Sequence, residues 1–266
     1  MLPLSEFSVA ARRRIRGVFT DIDDTLTWHG RLHSGTLKAM EALHGAGFLV
    51  VAVTGRPTGW CQPLPRQWPI NAVVAENGAA YHYVDALSQR EHTVHYADEA
   101  TRAAHRERLL AIAHHVLHDL PGLSLADDQW LRTGDVAIDI GENVAPLVPE
   151  AVTRILDALR AQGCAAAASS IHAHAWLGDY DKLKTSRRLM REIFAIDLDA
   201  QADQFVFIGD APNDAPMFAH FGHSVGVANI MPFAERIVPP PRYVTGASYG
   251  EGFAELARAL LAAPHD

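Results

Sequence analysis

The segment Ile15-Arg16-Gly17-Val18-Phe19-Thr20-Asp21-Ile22-Asp23-Asp24-Thr25 passes from an apolar run directly into three acidic residues. The apolar part is typical of a buried strand, and the acids stand where that strand would end. Three carboxylates in four positions repel one another unless a cation or a proton intervenes. A divalent cation with oxygen ligands would relieve the repulsion, and open α/β sheets place ligands at the carboxyl ends of their strands. An acidic surface turn is the alternative that this segment alone leaves open.

The segments that follow predict a parallel α/β sheet. Residues 34–44 form a helical pattern that Gly45 and Gly47 end. The continuous apolar run 48–53 is typical of a parallel strand covered on both faces. A strand, a helix and a strand in this order make a right-handed crossover unit. The last third of the chain repeats the alternation, so we predict a doubly wound α/β sheet, with further strands at 71–75, 204–208 and 224–228 and a closing helix at 252–261.

The middle of the chain has a different pattern. Amphipathic helices are predicted at 101–120 and 149–161. Segments 135–140 and 171–177 alternate strictly between apolar and polar residues, which indicates strands with one covered and one open face. We therefore interpret residues 81–179 as an inserted α+β domain whose helices cover one face of its sheet. Residues 1–80 and 180–266 would form a Rossmann-like core.

Three more polar segments are expected at the same edge of the core sheet. Gly209-Asp210-Ala211-Pro212-Asn213-Asp214 is a second acidic cluster after an apolar strand, and two such strand ends can converge on one metal. Thr54-Gly55-Arg56 follows the run 48–53, where a hydroxyl and backbone amides can hold a phosphate oxygen. Asp181-Lys182-Leu183-Lys184 starts a helix, and a lysine there can neutralise a phosphate. Taken singly, these segments also fit a capped helix start, a common turn and a solvated helix end.

Composition narrows the class of protein. The 266 residues are 48% hydrophobic, with two cysteines and a formal net charge of −8. The longest apolar run is far shorter than the ~20 residues of a membrane-spanning helix, and no basic stripe for nucleic acid is present. The two cysteines form no disulfide framework and no metal-type spacing. We expect a cytoplasmic protein, a monomer or homodimer, that acts on a small molecule.

In their order, the four polar segments resemble the motifs of the haloacid-dehalogenase-like superfamily across nearly the whole chain. Residues 21–25 are similar to its first motif, Thr54 to the second, Lys182 to the third and residues 209–214 to the fourth. The insertion resembles the large cap of subfamily IIB, the Cof-like and sucrose-phosphatase-like sugar-phosphate phosphatases. The resemblance implies an α/β core with an inserted cap and a Mg²⁺-dependent phosphatase activity.

The resemblance implies catalytic roles for Asp21, Asp23, Thr54 and Lys182. Asp21 would attack phosphorus and form an aspartyl phosphate. Asp23 would protonate the leaving oxygen and then deprotonate the attacking water. Thr54 and Lys182 would bind the phosphoryl oxygens, where the transition-state charge spreads.

The same resemblance implies the metal and substrate ligands. Mg²⁺ would be held by the Asp21 carboxylate, the Asp23 backbone carbonyl and Asp210, while Asp214 would orient its water shell. The expected substrate contacts are Thr54, Gly55, Arg56, Asn77, Arg132, His172, His174, Lys182 and Asn213.

Two positions depart from the family's pattern. Many members have glycine where Asp24 stands, and we assign Asp24 no role and expect it to point away from the metal. Many members also follow the third-motif lysine with glycine, whereas Leu183 follows Lys182 here, so Lys184 is the alternative. We prefer Lys182 because Leu189 then lies where the resembling motif has its helix leucine.

The open face of the inserted sheet suggests a substrate class. It carries Asp135 and Asp139 on one strand and His172, His174 and Trp176 on another. A polyhydroxyl ligand needs donors, acceptors and a flat apolar surface, and these side chains supply all three. We expect the cap to close over the metal and read a sugar or polyol phosphate. A face that simply meets solvent is the alternative.

Three other functions stay open at this stage. A hydrolytic dehalogenase of the same superfamily needs no metal and lacks the second aspartate, so Asp23 argues against it. A sugar phosphomutase shares the fold and the cap, and a bisphosphate requirement would reveal it. A non-catalytic sugar-phosphate sensor could also keep the fold, but all four motif positions are filled here.

Overall fold

The computed structural model describes residues 1–263, in which strands and helices alternate along most of the chain. No helix in this part of the chain is both long enough and apolar enough to cross a membrane. The strands are β1 (Leu2–Pro3), β2 (Gly17–Thr20), β3 (Thr27–Trp28), β4 (Arg31–Leu32), β5 (Leu49–Val53), β6 (Ala72–Ala75), β7 (Ala80–Val84), β8 (Glu91–His95), β9 (Asp135–Asp139), β10 (Ala165–Ala168), β11 (His172–Trp176), β12 (Phe205–Gly209), β13 (Ser224–Gly226) and β14 (Tyr243–Val244). The helices are α1 (Val9–Arg12), α2 (Ser34–Gly45), α3 (Thr58–Cys61), α4 (Leu64–Gln67), α5 (Glu99–His118), α6 (Pro149–Ala161), α7 (Lys182–Phe194), α8 (Ala215–His220) and α9 (Tyr249–Leu261).

A nine-stranded sheet forms the core, in the order β1-β14-β13-β12-β2-β5-β6-β7-β8. The strands from β1 to β6 in this order pair in parallel, and β7 and β8 add to the β6 edge in antiparallel. This mostly parallel sheet confirms the predicted fold class. Because β12, β2 and β5 are neighbours at its centre, the loops that follow them meet at one edge.

Helices cover both faces of the core sheet, as the continuous apolar runs require. Successive side chains of a strand point to opposite faces. In β2, Val18 therefore packs into one apolar cluster with residues of α2 and α9, while Phe19 packs into another with residues of α7 and α8. Full burial of one such side chain contributes on the order of 1.5–3 kcal/mol.

The inserted unit, here called the cap, is a three-stranded antiparallel sheet in the order β10-β11-β9, with α5 and α6 on one face. Its apolar cluster joins Ile112 of α5 and Ile155 of α6 to Val136, Ile138 and Ala173 of the sheet. The covered face is therefore the one that the alternation of the two strands predicts. Strand β10 is not predicted by the sequence pattern, because its four alanines favour a strand only weakly.

The start of the cap lies later in the chain than predicted. The prediction begins it at residue 81, but β7 and β8 extend the core sheet instead. The separate sheet and its two helices run from Glu99 to Trp176. No strand is predicted at 80–84 or 91–95, so only their position in the chain assigns these segments to the insertion.

Candidate active site

Three buried carboxylates meet at the edge of the core sheet. Asp21 directly follows β2, Asp210 follows β12, and Asp214 lies in the turn before α8. Each offers one oxygen, and these oxygens all lie within 4.8 Å of one another. The second oxygen of Asp210, Oδ2, is buried without a hydrogen-bond partner. A hard cation prefers such carboxylate oxygens, so the cluster fits a divalent metal ion.

The turn after β12 fixes two of these carboxylates. Asp214 Oδ2 accepts hydrogen bonds from the backbone amides of Asp210 and Ala211, at 3.1 and 3.3 Å. Asp210 Oδ1 accepts a hydrogen bond from the Thr25 hydroxyl at 3.1 Å. These contacts leave Asp210 Oδ2 and one oxygen of Asp214 directed to the rest of the cluster.

Lys182 supplies the positive charge beside the cluster. It is the first residue of α7 and is 1% exposed, and its Nζ lies 2.6 Å from both Asp21 Oδ1 and Asp214 Oδ1. Burial by itself lowers the pKa of Lys182, but the two carboxylates raise it above its ordinary value. The alternative lysine, Lys184, is half-exposed and pairs with Asp179 at the surface. The structure thus brings Lys182, and not Lys184, to the acidic cluster.

The positive charge of one lysine does not balance the negative charges of three buried carboxylates. Burial raises the pKa of Asp21 well above its ordinary value, against the lowering effect of Lys182 and with a further rise from Asp214. Burial and the neighbouring Asp21 likewise raise the pKa of Asp210. Such shifts are expected where a cation that completes the charge balance of a site is absent.

The Asp23 side chain points out of the acidic cluster, towards Arg56. Arg56 Nε lies 2.8 Å from Asp23 Oδ2, and Nη2 lies 2.9 Å from Oδ1, which makes a two-pronged ion pair. Whether the backbone carbonyl of Asp23 binds a metal stays a prediction. The Asp24 side chain is also outside the cluster, and its backbone has a left-handed φ of 54°.

Arg56 also reaches the cap. Its Nη2 lies 2.8 Å from Glu142 Oε1, and its Nη1 lies 3.5 Å from Asp128 Oδ2. Neither cap acid has a sequence signal that would single it out, because both lie in polar loops. The guanidinium is therefore shared among Asp23 of the core and two carboxylates of the cap.

The loop after β5 lies beside the cluster. Thr54 is fully buried, and its Oγ1 accepts a hydrogen bond from the Arg56 amide at 3.0 Å. Gly55 leaves no room for a side chain, because a Cβ there would lie 2.8 Å from His174 Nε2 of the cap. Backbone and imidazole can approach this closely only at a glycine.

Two amides complete the floor of the site. Asn77, which has a left-handed φ of 53°, accepts a hydrogen bond at Oδ1 from Asn213 Nδ2 at 3.1 Å. Asn77 Nδ2 and Asn213 Oδ1 are buried without partners. Unpaired buried polar atoms are costly, so this donor and this acceptor fit a ligand between core and cap.

The predicted open face of the cap is buried against the core. His174 is 1% exposed, its Nδ1 lies 3.0 Å from Asp135 Oδ2, and its Nε2 has no partner. Burial lowers the pKa of His174 to about 4, which keeps the imidazole neutral near pH 7. His172 Nε2 lies 2.9 Å from Glu142 Oε2. His174 Nε2 therefore lies next to Gly55 of the core, whereas His172 Nε2 pairs with a carboxylate of the cap.

Arg132 has a different place from the one predicted. It is buried and binds Asp135 at 2.9 Å, Asp128 at 3.1 Å and the Gly55 carbonyl at 2.9 Å. All three partners belong to the protein, so this arginine joins the cap to the core and is not open to a ligand. Its sequence position, just before a cap strand, fits either role.

Glu76 is a junction residue that the sequence reasoning does not single out. It is fully buried, and its carboxylate accepts hydrogen bonds from the amides of Thr58 in the core and Thr133 and Gly134 in the cap, at 2.7, 2.9 and 2.5 Å. Burial, with a contribution from Asp135, raises the pKa of Glu76. The segment 75–79 carries this junction together with Asn77 of the site.

Comparison with known proteins gives a family match. A family model described as haloacid dehalogenase-like hydrolase matches residues 18–114 and 179–246, which lie on either side of most of the cap. A phosphoglycolate phosphatase of Natronomonas pharaonis is 29% identical over 241 residues, which are 88% of this chain and 93% of that protein. A phosphoglycolate phosphatase of Methanosarcina acetivorans is 47% identical over 55 residues, and the match spans only 23% of its length.

Solved structures share the fold at low sequence identity. A protein of Thermoplasma acidophilum has a TM-score of 0.68 at 19% identity, covering 92% of this chain and 98% of that one. A sugar phosphatase of HAD subclass IIB has a TM-score of 0.63 at 18% identity, covering 91% and 98%. The sucrose-phosphatase of Synechocystis sp. PCC6803, solved with sucrose and phosphate, has a TM-score of 0.64 at 14% identity, covering 92% and 98%.

Proposed function

The chain belongs to the haloacid dehalogenase-like hydrolase family, and we propose that it is a Mg²⁺-dependent phosphatase that hydrolyses a small phosphorylated metabolite through an aspartyl phosphate on Asp21. Family membership and the phosphatase relatives support a phosphatase activity. The observation that carries the proposal is the buried trio Asp21, Asp210 and Asp214 with Lys182 beside it. Fold alone would not support it, since one fold hosts many activities.

The donor set at the cluster fits Mg²⁺. Asp21, Asp210 and the Asp23 carbonyl would hold the ion, and Asp214 would orient its water ligands. When bound, Mg²⁺ supplies positive charge between the nucleophile and the phosphate, so that two anions can approach. The unpartnered Oδ2 of buried Asp210 supports this assignment.

The residues of the chain divide the reaction into two steps. In the first, an Asp21 oxygen forms a bond to phosphorus while the bond to the leaving oxygen breaks, and Asp23 gives its proton to that oxygen. In the second, Asp23 takes a proton from water, the water oxygen attacks phosphorus, and the bond to Asp21 breaks to release phosphate. In the structure, Arg56 binds both oxygens of the Asp23 carboxylate.

Thr54, Gly55, Lys182 and Asn213 would bind the phosphoryl oxygens. A hydroxyl, backbone amides, an ammonium and an amide side chain around one position suit the equatorial oxygens, where negative charge increases in the transition state. The contacts of Lys182 with Asp21 and Asp214 fix its ammonium beside the nucleophile.

The proposed substrate is a sugar or polyol phosphate. His172 and His174 face the site from the cap, and Asn77 offers an unpaired donor from the core. Imidazoles and amides exchange hydrogen bonds with hydroxyl groups. The sugar-phosphatase neighbours support this class through fold alone, whereas the curated relatives are named for phosphoglycolate.

A screen of phosphorylated metabolites, read as phosphate release with Mg²⁺ and with excess chelator, tests the proposal. We expect hydrolysis that chelator removes and added Mg²⁺ restores. Asp210→Asn should require far more Mg²⁺ for the same rate, because it removes one charge from the cluster. Glu150→Gln, at an exposed acid at the start of α6, is the control. Full activity in excess chelator would contradict the proposal.

A further inference from the structure

Arg56 lies between Asp23 of the core and the loops of the cap, and the proposed role of Asp23 as the acid puts the leaving group beside this arginine. We propose that Glu142 and Asp128 are specificity-determining residues. Because both pair with the Arg56 guanidinium, the enzyme selects uncharged, hydroxyl-bearing leaving groups over leaving groups that carry a carboxylate. The proposal rests on the proposed function and adds the residues that would select its substrate class. Nothing in the family match or in the names of the relatives assigns these two acids a role.

The contacts of Arg56 leave little of it for a ligand. Its Nε and Nη2 hold both oxygens of Asp23, Nη2 also lies 2.8 Å from Glu142, and Nη1 lies 3.5 Å from Asp128. The exposed fractions of the four side chains are 13% for Arg56, 14% for Asp23, 19% for Asp128 and 27% for Glu142. One arginine thus faces three carboxylates, which gives this part of the site a negative balance.

The neighbouring cationic side chains also have protein partners. The Arg132 side chain is 0% exposed and binds Asp128, Asp135 and the Gly55 carbonyl. Lys182 holds Asp21 and Asp214 at the position assigned to the phosphate. Burial lowers the pKa of His174 to about 4, so it adds no charge at neutral pH. Among the described residues of this gap, each arginine and lysine already has carboxylate partners.

A carboxylate on the leaving group would therefore meet like charge. Partly buried charges are poorly screened by salt, so the repulsion by Glu142 and Asp128 acts at close range. A carboxylate that displaces Asp128 or Glu142 from Arg56 would still lie beside that acid, because Arg132 binds Asp128 at 3.1 Å and His172 lies 2.9 Å from Glu142. A hydroxyl group meets no such repulsion, because it is uncharged and can donate to Glu142 and accept from Asn77 Nδ2, which has no partner among the described residues.

The test compares two esters that differ only in this feature: 2-hydroxyethyl phosphate, which ends in a hydroxyl group, and 2-phosphoglycolate, which ends in a carboxylate. Each competes with p-nitrophenyl phosphate in the presence of Mg²⁺, and its inhibition constant is measured for the wild-type enzyme, Glu142→Gln, Asp128→Asn and Glu150→Gln. Glu150 is exposed at the start of α6 and serves as the matched control. Both esters carry the same phosphate, so a general loss of cap structure would change both constants together.

We expect the wild-type enzyme to bind 2-hydroxyethyl phosphate at least tenfold more tightly than 2-phosphoglycolate. Glu142→Gln should reduce this ratio at least fivefold, Asp128→Asn should reduce it less because its contact is longer, and Glu150→Gln should leave it unchanged. Tighter binding of 2-phosphoglycolate by the wild type, or a ratio that Glu142→Gln does not change, would overturn the proposal. If the wild type fails to hydrolyse p-nitrophenyl phosphate, the proposed function fails instead, and dissociation constants from calorimetry still decide the selectivity.

Discussion

Lys182 is the residue on which the charge balance of the site depends. It is the partner of both Asp21 and Asp214, each at 2.6 Å. Removing it leaves two buried carboxylates without their counter-charge and removes one contact to the transferred phosphoryl group. Loss of a single electrostatic contact of this kind costs about 100- to 1,000-fold in rate.

We therefore predict that Lys182→Ala lowers kcat/KM for p-nitrophenyl phosphate by about 100-fold or more. Lys184→Ala should change it less than about twofold, because Lys184 pairs only with Asp179 at the surface, and exposed pairs contribute little. Steady-state kinetics of both variants, with circular dichroism to check that each is folded, measures this. A larger loss for Lys184→Ala than for Lys182→Ala would refute the assignment.

At the scale of single residues, sequence reasoning finds the groups next to strand ends. Asp21, Thr54 and Asp210 each follow an apolar strand, and parallel strands bring their carboxyl ends to one edge. Sequence reasoning does not find residues whose position depends on how the cap packs against the core. Glu142 and Asp128 lie in polar loops of the cap, and only the packing of the two units shows that they meet Arg56. Arg132 has the right charge for a ligand contact, but the same packing gives it protein partners instead.

At the scale of elements, the sequence pattern does not show to which sheet strands β7 and β8 belong. Their residues alternate as those of a half-covered strand do, and this periodicity is common to core and cap. Pairing of β7 with the free edge of β6 places them in the core sheet. In contrast, the bounds of α6 match the predicted 149–161, since Pro149 marks its first turn and its apolar residues recur with helical spacing.

A buried histidine in this strand pair predicts how stability depends on pH. His82 of β7 is 1% exposed, and its Nδ1 lies 2.8 Å from the Thr93 hydroxyl of β8. Burial lowers the pKa of His82 to about 4, below the ordinary value of about 6.5. Between these values the unfolded chain binds a proton at His82 that the folded chain does not. This contribution to stability is therefore fully present above pH 6.5 and is lost as the pH falls towards 4.

We predict that His82→Asn makes the free energy of unfolding less sensitive to acid. From pH 7.5 to pH 5 the wild type should lose about 1–2 kcal/mol more than the variant. Urea denaturation at the two pH values measures this, and His92→Asn, at an exposed histidine of β8, is the control. An equal loss in the wild type and in His82→Asn would show that His82 is not a buried neutral group.

At the scale of the whole molecule, core and cap meet through two kinds of contact. Glu76 and Arg132 are buried and bind backbone groups across the junction, at Thr133 and Gly134 of the cap and at Gly55 of the core. Arg56 instead meets the more exposed carboxylates of Glu142 and Asp128. The first set fixes the junction, and the second lies over the proposed position of the leaving group. The sequence predicts which face of the cap sheet its helices cover and that the cap closes over the metal, but not the contacts that bury the opposite face against the core.

The central claim is that Asp21, in the buried cluster with Asp210 and Asp214, is the nucleophile. The most direct measurement is hydrolysis of p-nitrophenyl phosphate with Mg²⁺ by the wild type and by Asp21→Asn, which keeps the shape of the side chain and removes its nucleophilic charge. We predict turnover by the wild type and none by the variant, with circular dichroism showing that both are folded. A variant that retains a tenth of the wild-type rate would contradict the claim.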